Sequence, residues 1–129
     1  MATYLLDTSV IIDALIGKRN RSRFLINLAE RGGTLACCPI NIAEVYAGVR
    51  PKEENYTAAL LKSLQMFPIT FPVAELAGRL KRRYGLRGKT LSIADTVIAA
   101  VALHYQLTLV TDNARDFPMP ELALYSPPE

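Results

Sequence analysis

The sequence predicts an α/β layered domain built on a mostly parallel central sheet. Short apolar runs alternate with segments whose apolar residues recur at helical spacing, the pattern of successive strand-helix units. Two of those runs stop at residues that favour turns and helix starts, Asp7-Thr8-Ser9 and Thr111-Asp112-Asn113. The chain has 129 residues, of which 50% are hydrophobic and 21% charged. That suits a single domain over residues 1–129 able to bury about two thirds of its unfolded surface, without repeats, linkers or low-complexity segments.

Tyr4-Leu5-Leu6 reads as the first strand, and Val10, Ile11, Ala14 and Leu15 then recur as on a helix. A second helix through Phe24, Leu25 and Leu28 ends at Gly32-Gly33, before a strand at Thr34-Leu35-Ala36-Cys37. Pro39 and Pro51 each open a helical stretch, the first with Ile42, Val45, Tyr46 and Val49 on one face, the second with Tyr56, Ala59, Leu60 and Leu64. Ile69-Thr70-Phe71, between two prolines, allows at most a short strand. Val73, Leu76, Ala77, Leu80 and Tyr84 mark an amphipathic helix ending at Gly85. Ser92 to Tyr105 is apolar on most sides and predicts a buried helix, followed by strands at Leu107–Val110 and Leu122–Tyr125.

The two cysteines, Cys37 and Cys38, are neighbours and on a strand would face opposite sides, so neither a disulfide nor a zinc site follows; a reducing cytoplasm fits. The apolar run from Tyr4 to Ile16 is broken by Asp7 and Asp13 and lacks a basic leader, which argues against secretion or membrane insertion. A net charge of +3, from 15 Lys plus Arg against 12 Asp plus Glu, is too mild to announce a nucleic-acid partner by itself.

The acids carry more information. Asp7 ends the first strand, Glu44 lies early in the helix after the second, Asp95 opens the buried helix, and Asp112 and Asp116 follow a later strand. In a parallel sheet the strand C-termini share one edge, so these distant acids can converge there, Asp95 less securely because its helix precedes its strand. Each acid alone could be a cap or turn former, and Ser92–Asp95 and Asn41–Glu44 both have capping-box spacing. Asp95 and Glu44 are, however, embedded among apolar residues, where an unpaired charge is costly, so a positive partner is expected between them. Carboxylates without His or Cys match a hard divalent cation, Mg²⁺ or Mn²⁺, and point to phosphodiester hydrolysis.

Setting the five acids aside leaves seven against 15 bases, an excess of eight positive charges on the rest of the surface. Arg79, Lys81, Arg82, Arg83, Arg87 and Lys89 follow one another without an intervening acid, and Lys18, Arg19, Arg21 and Arg23 form a second group. Both are candidate polyanion tracks, with solvated helix faces and loops as the structural alternative. Asp13 reads as a surface residue of the first helix. His104 lies roughly 13 Å along the buried helix from Asp95, too far for a general base.

Four segments in order resemble the motifs of the PIN-domain family, and within it the VapC-type toxins of toxin-antitoxin pairs. They are Tyr4-Leu5-Leu6-Asp7-Thr8-Ser9-Val10, Asn41-Ile42-Ala43-Glu44-Val45, Ile93-Ala94-Asp95-Thr96-Val97-Ile98-Ala99-Ala100 and Val110-Thr111-Asp112-Asn113-Ala114-Arg115-Asp116-Phe117. The resemblance covers nearly the whole chain. It implies a PIN-like three-layer α/β/α sandwich, metal-dependent endoribonuclease activity with Asp7, Glu44 and Asp95 as core acids, an RNA substrate, an antitoxin partner and a homodimer. For the fourth acid it favours Asp116, with Asp112 also a candidate, and it implies supporting roles for Thr8, Ser9, Thr111 and Asn113. The helical stretches 21 to 31 and 39 to 66 are apolar enough to form a groove for the antitoxin.

Other classes fit less well. A phosphatase forming an aspartyl-phosphate usually wants a second acid where Ser9 stands, and a receiver domain wants a late-strand Lys that is missing. The principal rival is a non-catalytic PIN-like module that binds RNA or protein while its carboxylates only cap helices.

Overall fold

A computed structural model describes residues 2–128. The first half runs β1 (Thr3–Leu6), α1 (Thr8–Ile16), α2 (Arg21–Glu30), β2 (Thr34–Cys37), α3 (Pro39–Gly48), a 3-10 turn (Pro51–Glu53) and α4 (Glu54–Ser63). The second runs β3 (Gln65–Met66), α5 (Phe71–Leu86), α6 (Ile93–Tyr105), β4 (Thr108–Val110), a 3-10 turn (Ala114–Asp116) and β5 (Leu124–Tyr125). The strands form one sheet in the order β3-β2-β1-β4-β5, and every pairing is parallel. The α/β expectation therefore holds.

Side-chain alternation along the central strands makes the layers. Leu5, Ala36 and Leu109 face a core shared with Val73, Ala77 and Leu80 of α5 and Ile98 and Val101 of α6. Leu6, Cys37 and Val110 face the opposite core, with Val10 and Ile11 of α1, Phe24 and Leu28 of α2 and Leu61 of α4. Helices thus cover both faces of the sheet, as parallel strands buried on two sides require. Cys37 and Cys38 fall in opposite cores and both thiols are free. Residues Ile98 to Ala102 of α6 are all buried, as its apolar composition predicts.

Two local expectations are corrected. The strand considered at Ile69–Phe71 lies earlier, at Gln65–Met66, an exposed edge strand too short and too polar to leave a pattern. Phe71 instead opens α5, with Pro72 in the first turn where its fixed φ suits a helix. Pro51 opens a 3-10 turn, and the regular helix begins at Glu54. No described helix is long and apolar enough to cross a membrane.

Candidate active site

The C-terminal edge of the three central strands assembles the site. Register aligns Leu6 with Val110, and the backbone N–H of Asp7 donates to the Val110 carbonyl at 2.9 Å, which fixes Asp7 between β1 and β4. Asp7 caps α1 by accepting from the Thr8 backbone N–H at Oδ1 (2.9 Å). Its Oδ2 accepts from the hydroxyl of Thr111, the residue after β4, at 2.7 Å. The backbone N–H of Asn113 donates to that same Thr111 oxygen at 2.9 Å, folding the next turn back over the site.

The opposite wall comes from α3. Thr8 Oγ1 donates to Glu44 Oε1 at 2.6 Å and accepts from Asn41 Nδ2 at 3.0 Å. Asn41 is fully buried, and its Oδ1 accepts from the Cys38 backbone N–H at 2.8 Å. Asn41 therefore sits inside the first turn of α3, and Glu44 lies beyond it, so the capping box considered at Asn41–Glu44 does not form. Asn41, a capping candidate by sequence, instead holds the Thr8 hydroxyl that bonds Glu44. Its signal was an amide one helical turn before the acid, on the same face. The second box is observed in one half: Ser92 Oγ accepts from the Asp95 backbone N–H at 3.0 Å.

Charge follows this geometry. Burial pushes the Asp7 carboxyl above its ordinary value; bonds from Thr111 and Thr8 pull it back, and the negative charges of Asp95 and Glu44 push it up again. Asp95 is likewise raised, first by burial and then by Asp116 and Glu44, against a lowering hydrogen bond with Ser92. Asp7, Glu44, Asp95 and Asp116 thus form one repelling set, and Asp95 does converge despite opening a helix that precedes its strand. The ion pairs among the described residues involve Asp112, Glu53 and Glu75 and none of these four. The positive group expected between Glu44 and Asp95 is therefore not a side chain among the described residues.

Asp112 stands apart. Its Oδ1 accepts from Arg21 Nη2 at 2.7 Å, and Arg19 Nη1 lies 3.7 Å away. Arg21 is only 1% exposed, which corrects its place in a surface basic group. Capping accounts for Asp7, but not for Glu44 in the body of α3 or for Asp116 in a 3-10 turn. Ser9 Oγ is buried without a hydrogen-bond partner. Asp13 is half-buried in α1, and His104 is exposed against Tyr105.

The PIN domain family model matches residues 4–120 of the chain. The chain belongs to the PIN-domain family. It is 33% identical over 115 residues to Ribonuclease VapC19 of Mycobacterium tuberculosis, covering 89% of this chain and 92% of the relative. Ribonuclease VapC2 of Haemophilus influenzae is 30% identical over 122 residues, 91% of each chain. Among solved structures, VapBC2 from Rickettsia felis bound to a promoter DNA fragment superposes with a TM-score of 0.83 at 25% identity, over 98% of this chain and 99% of that one. A toxin-antitoxin complex from Klebsiella pneumoniae gives 0.80 at 27% identity over 98% of each.

Within this PIN domain the donor set fits a hard cation: four carboxylates, hydroxyls and no imidazole or thiolate. Among the described residues no three His, Cys, Asp or Glu side chains are close enough to form a ready-made metal cage. A cation that keeps several waters tolerates wider spacing. The basic run is also less free than its sequence implies. Arg79 pairs with Glu75 at 3.2 Å, Lys81 donates to the Leu91 carbonyl, and Lys89 Nζ donates to the Arg115 carbonyl at 3.0 Å, next to Asp116. Arg82, Arg83 and Arg87 are exposed, Arg87 over the Tyr84 ring.

Proposed function

We propose that the chain is a divalent-metal-dependent endoribonuclease and the toxin component of a toxin-antitoxin pair. One observation carries the reading: at the sheet edge Asp7 is raised by the charges of Asp95 and Glu44, and Asp95 by those of Asp116 and Glu44, with no side-chain cation paired to any of the four among the described residues. The naming of the relatives as ribonucleases supports RNA as the substrate class, and the toxin-antitoxin complexes among the structural matches support the partner.

Asp7, Glu44, Asp95 and Asp116 would hold Mg²⁺ or Mn²⁺, which supplies Lewis acidity toward a phosphodiester and water. The other roles belong to the chain. Thr111 orients Asp7 through Oδ2, and Asn41 orients Thr8, which holds Glu44 through Oε1. The exposed Asn113 side chain is available to a phosphate oxygen, and the buried, unpartnered Ser9 hydroxyl to a neighbouring carboxylate or water. Asp116 is the fourth acid in this reading, since its charge acts on Asp95 while Asp112 is held by Arg21. Arg82, Arg83 and Arg87 carry the flanking strand, with Arg79 once released from Glu75 and with Lys89 beside Arg115, and single-stranded RNA suits such a site because its backbone is accessible.

An apolar groove of about 590 Å³, lined by Ala14, Leu25, Ile26, Tyr56 and Leu60, would receive an antitoxin segment. A basic side chain of that segment would stand in for the metal's charge at the acids. A homodimer completes the reading.

The metal half has a direct test. Mg²⁺ or Mn²⁺ is expected to raise the wild-type melting temperature by mass action, and to do so much less in Asp95→Asn. Equal shifts in both proteins, or no divalent binding by calorimetry, would return the acids to a structural role.

A further inference from the structure

Arg21 and Asp112 form an ion pair that the site does not use. Arg21 follows a turn in which Gly17, Arg19 and Asn20 all have positive φ, at 76°, 58° and 54°. For Arg19 and Asn20 that left-handed backbone costs energy and persists only where surrounding contacts enforce it. The turn delivers the Arg21 side chain into the interior, where Nη1 donates to the carbonyls of Pro128 (2.7 Å) and Arg19 (3.2 Å) and Nη2 donates to Asp112 Oδ1 (2.7 Å). One buried guanidinium thus joins its own strained turn, the chain's last described segment and the loop after β4.

That loop carries Asp116 and is held at three points. Thr111 bonds Asp7, Asp112 bonds Arg21, and the Arg115 carbonyl accepts from Lys89. Between them the Asp116 backbone N–H donates to the Asn113 carbonyl at 2.9 Å, closing the turn. The Asp112 anchor is the only one of the three that is a buried ion pair. Asp112 Oδ2 and Arg21 Nε are both buried without partners, and the other cation near Asp112 is the exposed Arg19, 3.7 Å away.

We propose that Arg21 is a positioning residue for the acidic site: through Asp112 it latches the 111–117 segment in the place that presents Asp116 to Asp95. Its role toward catalysis rests on the nuclease reading; the latch itself does not. Misplacing a reacting group by about 1 Å is worth about 10²-fold in rate, so a latch remote from the reacting atoms can govern turnover.

The test uses the full chain with Arg21→Met and Asp112→Leu combined, which removes both buried charges together and leaves neither unpaired. Arg21→Lys serves as the conservative variant, keeping the charge and losing the planar fork. Amide hydrogen exchange should quicken in residues 111–117 of the double variant while the rest of the sheet stays protected. With Mg²⁺ and a single-stranded RNA, its kcat should fall about 10- to 100-fold with KM little changed, and Arg21→Lys should fall less at a wild-type melting temperature. Wild-type exchange in 111–117 of the folded double variant would overturn the latch, and faster exchange with unchanged kcat would overturn its role in positioning. Should the double variant not fold, Asp112→Asn, which keeps the size of the side chain and removes the charge that Arg21 holds, decides on the same two measurements. If the wild type cleaves no RNA, the nuclease reading fails, while the exchange comparison still decides the latch.

Discussion

Asp95→Asn and Asp7→Asn are expected to abolish RNA cleavage, by about 10²-fold or more, and at the same time to raise thermal stability at pH 7 in the absence of divalent metal. Both effects have one cause. Each carboxyl is buried among other acids and is raised above its ordinary value of 3.8, so at pH 7 the folded state carries charges that the unfolded chain would carry more cheaply. The folded state binds the extra proton more tightly, so the stability linked to it is present in full below the ordinary carboxylate value and is lost as pH rises through the raised values. The advantage of the Asn variants should therefore be largest near neutrality and should shrink on acidification toward 3.8. Thermal melts over that pH range, with cleavage measured on the same preparations, check both. A variant that cleaves at the wild-type rate would remove its acid from the site.

Arg21→Met alone is expected to have the largest effect on stability, a loss of about 3–5 kcal/mol in chemical denaturation. The substitution keeps an unbranched apolar side chain but leaves Asp112, whose side chain is 14% exposed and whose Oδ2 already lacks a partner, with only the exposed Arg19 at 3.7 Å. The comparison is Arg79→Gln, which breaks an exposed i,i+4 pair with Glu75 and should cost no more than about 0.5 kcal/mol. Removing Asp112 together with Arg21 should recover part of the loss, since no buried charge is then left alone. Equal losses in the two single variants would show that Arg21 is no more important to the fold than a surface arginine.

The contrast between these two arginines also marks what the sequence makes legible. The order of strands and helices was readable because apolar residues in this chain follow two distinct periods, and four of the five strands lie where short apolar runs occur. β3 was not, because a two-residue exposed edge strand buries nothing that could imprint a pattern. The meeting of Asp7 and Glu44 followed from parallel topology alone, since both flank strand C-termini. Between Asp112 and Asp116 the sequence favours Asp116 only through the family resemblance: the ion pair that engages Asp112 comes from an arginine 91 residues away, set among Lys18, Arg19 and Arg23, which are exposed and give it the look of a surface base. Asn41 was visible as a capping residue, but its bond to Thr8 spans 33 residues and depends on how α3 docks against α1. Local rules identify the residue types, and contacts distant in sequence decide which of them are already paired.

The most direct measurement of the central claim is the cleavage rate of the purified wild-type chain on a single-stranded RNA, with Mg²⁺, after EDTA, and after Mg²⁺ or Mn²⁺ is restored. An acidic site that works through a hydrated divalent cation predicts endonucleolytic products with the metal, none after EDTA, and full recovery on its return. Cleavage that persists in EDTA, or a folded, metal-binding chain that leaves RNA intact, would contradict it.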